Sequence, residues 1–252
     1  MPWNPDKYHQ FQSQRGAPFD DLLQLVEVRP GLRVVDLGCG TGELTRRLAD
    51  SLPGSDVLGI DSSPHMLERA AEYARPGLRF ALGDQAKLDG EWDLIFSNAA
   101  LQWSEGHQAL IPHLFDRLVP GGQIAVQLPS NHNHVSHQLI HVVAGREPFR
   151  TVLNGWTRQS PVLPIEAYAS LLFQCEAQEI VVFEKVYPHV LENAEAVLDW
   201  ISGTALVPYF ERLGDSKDEF LDALRQELRA VMPGEPVFYP FRRTLFSARK
   251  AA

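Results

Sequence analysis

Arg33-Val34-Val35-Asp36-Leu37-Gly38-Cys39-Gly40-Thr41-Gly42 is the stretch on which the fold turns. Its first five residues are short, rich in β-branched side chains and bounded by Pro30-Gly31 and Gly38, which predicts a buried strand. From Glu43 onward, Leu44, Leu48 and Leu52 recur at every fourth position until Pro53-Gly54, which predicts a helix. The quoted residues therefore form the turn of a strand–turn–helix unit. Glycines at alternate positions let the backbone turn tightly and approach a ligand where a Cβ would clash. The helix N-terminus behind them offers N–H groups and a partial positive charge, suited to a carboxylate or phosphate.

The same alternation continues outward. Val57 to Ile60 reads as a second strand, and Ser62-Ser63-Pro64 as a capped helix start running to about Tyr73. Leu78 to Leu82 and Trp92 to Ser97 read as strands three and four. Glu105 to Leu118 carries a helical stripe at Leu110, Leu114 and Leu118, and Gln123 to Leu128 is a fifth strand after the Pro120-Gly121-Gly122 turn. Short buried strands with helical crossovers imply an α/β fold with a doubly wound, mostly parallel, Rossmann-like sheet. Beyond Leu128 the pattern loosens into a helix from about His134 to Ala144 and then a loop. Glu179 to Tyr187 reads as a sixth strand, and Pro240 to Arg249 as the last. Between them Ala194 to Gly203, Leu206 to Leu213 and Asp218 to Met232 read as helices. The expected organisation is one domain of residues 1–188 and 236–252, with a helical insertion at 189–235. Leu22, Leu23, Val26 and Val28 add an N-terminal helix from about Pro18.

Composition narrows the function. The 252 residues include 44% hydrophobic and 22% charged, enough apolar material for a sizeable core. Lys plus Arg number 23 against 32 Asp plus Glu, a formal charge of -9. Binding by phosphate neutralisation usually needs a basic surplus, so nucleic acid is not the expected partner. No apolar run approaches the ~20 residues of a membrane span. The polar start does not read as a signal peptide. Cys39 and Cys175 cannot build a disulfide framework or zinc cluster unaided. The expectation is a soluble, cytoplasmic protein, with a monomer slightly favoured.

The glycine turn discriminates between cofactors. A dinucleotide turn, G-x-G-x-x-G/A, wants a small residue where this chain has Glu43. The pattern is instead Asp36-x-Gly38-x-Gly40-x-Gly42, which resembles the first motif of class I S-adenosylmethionine-dependent methyltransferases. Asp61, ending the second strand, can accept bonds from two ribose hydroxyls, with Ser62 beside it. In the methyltransferase pattern Asp84 and Gln85 sit by the adenine, and Asn98 closes the fourth strand at the ligand edge. Ala99 and Ala100 then allow close approach, and Trp103 can wall a substrate pocket.

More broadly, the chain resembles the trans-aconitate methyltransferases, nearly end to end. The likeness rests on Trp3-Asn4-Pro5-x-x-Tyr8, Asp36-Leu37-Gly38-Cys39-Gly40, Gly59-Ile60-Asp61-Ser62-Ser63-Pro64-x-Met66-Leu67 and Leu94-Ile95-Phe96-x-Asn98-Ala99-x-Leu101-Gln102-Trp103. Asn131, His137, Asp199-Trp200, Arg243 and Arg249 extend it. The resemblance implies methyl transfer from S-adenosylmethionine to a carboxylate of a small di- or tricarboxylic acid, giving an ester. Members often carry Arg before the proline of Leu206-Val207-Pro208; Val207 here would leave one carboxylate of the acid unclamped.

A carboxylate with a pKa near ~4 is already anionic at neutral pH, so this chemistry needs alignment rather than a base, and no catalytic acid–base residue is expected. Cationic and neutral donors should surround the acid: Arg15, Gln102, Trp103, His137, Arg146 and Arg243. His132, His134, His137 and His141 invite a metal, but no Cys lies near and the reaction needs no Lewis acid, so none is expected. Cys39 reads as a small loop residue rather than a nucleophile. Tyr8 and Phe11 are expected to cover the cofactor. The alternatives are an amine, phenol or carbon acceptor, which would usually need a base, and a non-catalytic cofactor-binding module. A nicotinamide enzyme is disfavoured by Glu43.

Overall fold

β1 (Arg33–Leu37) runs through the middle of the sheet with every residue after Arg33 buried. The computed structural model describes residues 12–252, with side chains from residue 16. Trp3, Asn4, Pro5, Tyr8, Phe11 and the Arg15 side chain lie outside what it describes.

The chain divides into two compact units. The sheet unit comprises Arg15–Pro129, Pro161–Lys185 and Arg243–Ala252. Its strands β2 (Asp56–Asp61), β3 (Leu78–Leu82), β4 (Trp92–Asn98) and β5 (Leu118–Pro129) join β1 in parallel. β7 (Val237–Arg249) adds antiparallel to β5, from Gln123↔Arg249 to Pro129↔Arg243. With β6 (Gln178–Leu191) the order is β3-β2-β1-β4-β5-β7-β6. The direction of winding reverses between β1 and β4. In open α/β sheets that reversal opens a crevice at the carboxyl ends of the strands, which is where ligands bind.

Helices cover the sheet: α1 (Gln12–Leu23), α2 (Glu43–Ser51), α3 (Pro64–Ala70), α4 (His107–Asp116) and, later in the chain, α7 (Ile165–Gln174). One apolar cluster joins Phe19 and Leu22 of α1 and Leu48 of α2 to Val34, Leu94 and Phe96. Another joins Leu110, Ile111 and Leu114 of α4 and Tyr168 and Leu172 of α7 to Val35, Ile95 and Ile124. Each fully buried Leu or Val contributes roughly 1.5–3 kcal/mol.

The helical unit contains Ser130–Ser160 and Val186–Arg242. It packs α5 (Val135–Ala144), α6 (Phe149–Val152), α8 (Ala194–Ser202), α9 (Val207–Leu213) and α10 (Lys217–Val231) around its own core, including Phe149, Trp200, Tyr209, Phe220 and Tyr239. Residues 189–235 fall in this unit together with Ser130–Ser160.

Most predicted elements form where expected, and the differences have local causes. The first helix is already under way at Gln12, with Pro18 inside it rather than at its start. β6 runs past Tyr187 and through Pro188; it is an edge strand, where a missing N–H is tolerated. β7 begins at Val237, and Pro240 precedes the residues in register with β5. The expected loop after Ala144 instead contains α6, and α7 follows Pro164.

Candidate cofactor and substrate site

The glycine turn is held from below by β2. Gly38 and Cys39 both donate their N–H to Ile60 O, at 2.7 and 3.0 Å, and Gly42 N–H closes the turn onto Cys39 O at 3.1 Å. Gly42 then stands at the N-cap of α2. Gly38 has φ +74 and lies against Ala100, whose Cβ would overlap any side chain added there. Gly40 has φ +55, and nothing among the described residues lies within 4 Å of where a Cβ would be.

Asp36 lies beneath the turn, 4% exposed, and accepts a 2.6 Å hydrogen bond from Thr45 Oγ1. Burial raises its pKa to about 7; the Thr45 bond opposes the shift and the charge of Asp61 adds to it. Cys39 is buried, and burial with the charges of Asp36 and Asp61 pushes its thiol far up. A thiol so disfavoured as thiolate is a poor nucleophile.

Asp61 ends β2 with both oxygens engaged by backbone. Oδ2 accepts from Gly40 N–H at 2.9 Å and Oδ1 from Ser63 N–H at 2.8 Å. A carboxylate offers about four acceptor sites, so each oxygen keeps one. Ser62 is exposed; its neighbour Ser63 is the residue whose side chain caps α3, at Met66 N–H.

Asp84 is also exposed and accepts from Ala86 N–H at 2.9 Å, starting a short turn over Gln85–Lys87. Gln85 points the other way. Its Nε2 donates to Ala100 O at 3.2 Å and meets Ser104 Oγ at 2.7 Å. The Ala100 carbonyl can only accept, so the amide orientation is fixed. Gln85 Oε1 is left buried with no hydrogen-bond partner among the described residues, 3.5 Å from where a Gly38 Cβ would be.

β4 ends at Asn98, and Ala99 follows at φ 55, a conformation rarely adopted by a residue with a side chain. That reversal starts the 3-10 turn Leu101–Trp103. Ala99 N–H donates to Gln127 O at 2.8 Å, and Ala99 O accepts from Gln102 Nε2 at 2.7 Å. Gln102 and Trp103 are both half-buried.

On the neighbouring strands Gln127 connects Asn98 to Arg243. With its amide oriented to satisfy both, Nε2 donates to Asn98 Oδ1 at 2.8 Å and Oε1 accepts from Arg243 Nη1 at 3.1 Å. Arg243 is 5% exposed, an unusual degree of burial for a guanidinium. The sheet unit thus places the glycine turn, Asp61, Gln85, Asn98, Gln102 and Trp103 at the carboxyl ends of its parallel strands, and Arg243 opposite Pro129 at the end of β5. Gln127 was missed by sequence reasoning. Its only signal is an amide that follows the apolar run Ile124-Ala125-Val126 within β5.

His137 and Arg146 belong to the helical unit. Burial, with the neighbouring His134, His132, His141 and Arg158, lowers the His137 pKa to about 3. Its Nδ1 meets Ser136 Oγ at 3.2 Å, and Ser136 Oγ meets Tyr239 Oη at 2.9 Å. Arg146 is ion-paired with Glu227 on the surface. Among the described residues no group of His, Cys, Asp or Glu is arranged to hold a metal ion, and no described helix is long and apolar enough to cross a membrane.

These residues fit S-adenosylmethionine. The space over Gly40 admits a ligand against the backbone, the orphaned Gln85 Oε1 suits a donor such as an amino group, and Asp61 suits vicinal hydroxyls. When bound, this cofactor supplies an electrophilic methyl group on a sulfonium.

Comparison with known proteins agrees. A methyltransferase-domain family model matches residues 34–122. The trans-aconitate 2-methyltransferase of Deinococcus radiodurans is 49% identical over 99% of both chains. Those of Streptomyces coelicolor and Mycobacterium tuberculosis are 41% and 38% identical, each over 98% of this chain and over 86% and 96% of their own. Among solved structures, the YcgJ protein of Bacillus subtilis matches with a TM-score of 0.63 at 15% identity, over 94% of this chain and 99% of that one. A Haemonchus contortus phosphoethanolamine N-methyltransferase 2 in complex with S-adenosyl-L-methionine matches at 0.57 and 18% identity, over 94% of this chain and 53% of that one. Such distant likeness establishes the Rossmann-like fold. The end-to-end identity to the curated relatives goes further: the chain belongs to the trans-aconitate methyltransferase family of class I S-adenosylmethionine-dependent methyltransferases.

Proposed function

We propose that the protein transfers the methyl group of S-adenosylmethionine to one carboxylate of trans-aconitate, forming a methyl ester. The observation that carries this reading is the 49% identity, over essentially the whole length, to a relative named for that substrate. The chemistry of the sheet edge is in keeping with it. An acid with a pKa near ~4 arrives deprotonated, so the chain has no proton to remove. Its work is alignment, which can supply several kcal/mol by itself.

Gly38, Gly40 and Gly42 with Asp61, Gln85 and Asn98 are the residues we assign to the cofactor. Gln102 and Trp103 are assigned to the reacting carboxylate. Neutral donors orient an oxygen without withdrawing its attacking lone pair as strongly as a cation would. Arg243, fixed through Gln127, is assigned to a second carboxylate of the acid. The acidic charge balance and two free cysteines are in keeping with a cytoplasmic enzyme of small molecules.

The test is a panel of mono-, di- and tricarboxylates, amines and phenols with labelled cofactor, reading base-labile methyl esters. Turnover restricted to amines or phenols overturns the carboxylate reading. Turnover of dicarboxylates without trans-aconitate retains the chemistry and rejects this acid.

A further inference from the structure

His107, at the start of α4, is completely buried, and its two ring nitrogens are both engaged. Nε2 lies 2.9 Å from Leu101 O, and Nδ1 lies 2.6 Å from the hydroxyl of Tyr168, on α7. The directions of these bonds follow from chemistry alone. A backbone carbonyl only accepts, so Nε2 must carry the proton. A neutral ring then leaves Nδ1 as an acceptor, so Tyr168 donates to it. The same Tyr168 oxygen accepts from Leu163 N–H at 3.2 Å. Three groups are thereby ordered in one direction: Leu163 N–H to Tyr168, Tyr168 O–H to His107, and His107 Nε2–H to Leu101.

Leu101 is the first residue of the turn that carries Gln102 and Trp103. Its carbonyl also accepts from Ser104 N–H at 2.9 Å, the bond that closes that turn. Ser104 in turn meets Gln85 Nε2. The turn is thus held at its carbonyl by His107 and at its end by the residue assigned to the adenine side. Tyr168 is stacked on Phe246 with centroids 5.1 Å apart, so the second link of the relay is fixed by the core of the sheet. Burial lowers the pKa of His107 and raises that of Tyr168 to about 12, so both stay neutral at physiological pH.

We infer that His107 is a positioning residue, which through Leu101 O sets where Gln102 and Trp103 present their donors to the acid. The inference rests on the assignment of those two donors to the reacting carboxylate. His107 has no contact with the reaction itself; removing it should loosen the turn and leave the glycine loop intact.

The experiment compares His107→Leu, His107→Gln and Tyr168→Phe with wild type. Glutamine can donate to Leu101 O and accept from Tyr168; leucine can do neither. For folded His107→Leu, KM for trans-aconitate should rise about tenfold, the scale of one buried hydrogen bond lost, with cofactor affinity within about twofold of wild type. His107→Gln should recover most of the loss. Tyr168→Phe should leave Nδ1 without its donor and give an intermediate KM. Should leucine not fold, the glutamine and phenylalanine variants decide by the same split. Independently of turnover, nitrogen NMR should show the His107 ring neutral and protonated at Nε2 at about pH 7.5. Unchanged KM in the folded variants, equal losses of acid and cofactor affinity, or an Nδ1-protonated ring overturns the inference. Failure of the wild-type protein to esterify any acid overturns the carboxylate reading instead, and the NMR result then stands apart from it.

Discussion

Asp61 and Gly40 are joined by a 2.9 Å hydrogen bond in which the carboxylate at the end of β2 accepts from the backbone of the glycine turn. A residue that sequence alone marks as a ribose acceptor therefore also shapes the turn. Asp61→Ala should remove both contributions. Cofactor affinity is expected to fall by about 1.5–3 kcal/mol, the range for hydrogen bonds to a charged group. Asp61→Asn can still accept from Gly40 and should lose less. Calorimetric titration with S-adenosylmethionine measures the ranking, and equal affinity for all three proteins would detach Asp61 from the cofactor.

The glycines at 38 and 40 should respond differently to alanine, although both sit at positive φ. At Gly38 the new Cβ overlaps Ala100, so the junction of β1 and the β4 end must move and the protein should lose stability as well as cofactor binding. At Gly40 the fold bears only the left-handed backbone penalty, roughly 1–2 kcal/mol, while the cofactor's approach is obstructed. Thermal unfolding separates the two: a Gly38→Ala midpoint equal to that of Gly40→Ala would contradict the packing.

Asp36 should make stability depend on pH. Its folded pKa of about 7 lies above the ordinary value of 3.8, so the folded state holds the proton more tightly than the unfolded chain. The stabilisation is complete below the unfolded pKa and is lost as pH rises through the folded one. At about 1.4 kcal/mol per unit, the loss is at most about 4 kcal/mol. At pH 5 the unfolded chain has already released most of this proton, so denaturant unfolding at pH 5 and pH 8 should show the wild type weakening more than Asp36→Asn by about 2.5 kcal/mol of that total. Parallel pH profiles would show that Asp36 ionises normally.

Arg243→Gln should separate acid from cofactor. The shorter amide keeps a polar group near Gln127 but removes the charge. Acid kcat/KM is expected to fall at least about tenfold, as for a lost charge-assisted contact, with cofactor affinity nearly unchanged. A proportional loss of both would make Arg243 a structural cation of the sheet.

The glycine turn and the alternating elements were legible because their signals are local: a missing Cβ, a period of two or four, a proline at a boundary. The α/β class followed from them. The helix α7 escaped notice because only Tyr168 and Leu172 are fully buried in a segment that follows Pro161 and Pro164. His107 left no trace either. Its hydroxyl partner is 61 residues away, and a single histidine has no period to betray it. Asp84 was legible as a polar residue after β3, but its side chain is engaged with the local turn, whereas Gln85 beside it aims inward. No spacing rule distinguishes two neighbouring polar residues until the backbone decides which one faces the strand ends.

The position of β7 bears on how the chain is made. It follows every other strand in sequence, yet it is inserted between β5 and β6. On the ribosome, β1 to β5 can pair in parallel as they emerge, each with a neighbour already present. β6 emerges with no partner, because the strand that bridges it to β5 has still to be translated. Until then β5 carries an open edge, the kind of surface on which nascent chains pair wrongly with one another. Completion of the sheet is thus a long-range event that waits for β7.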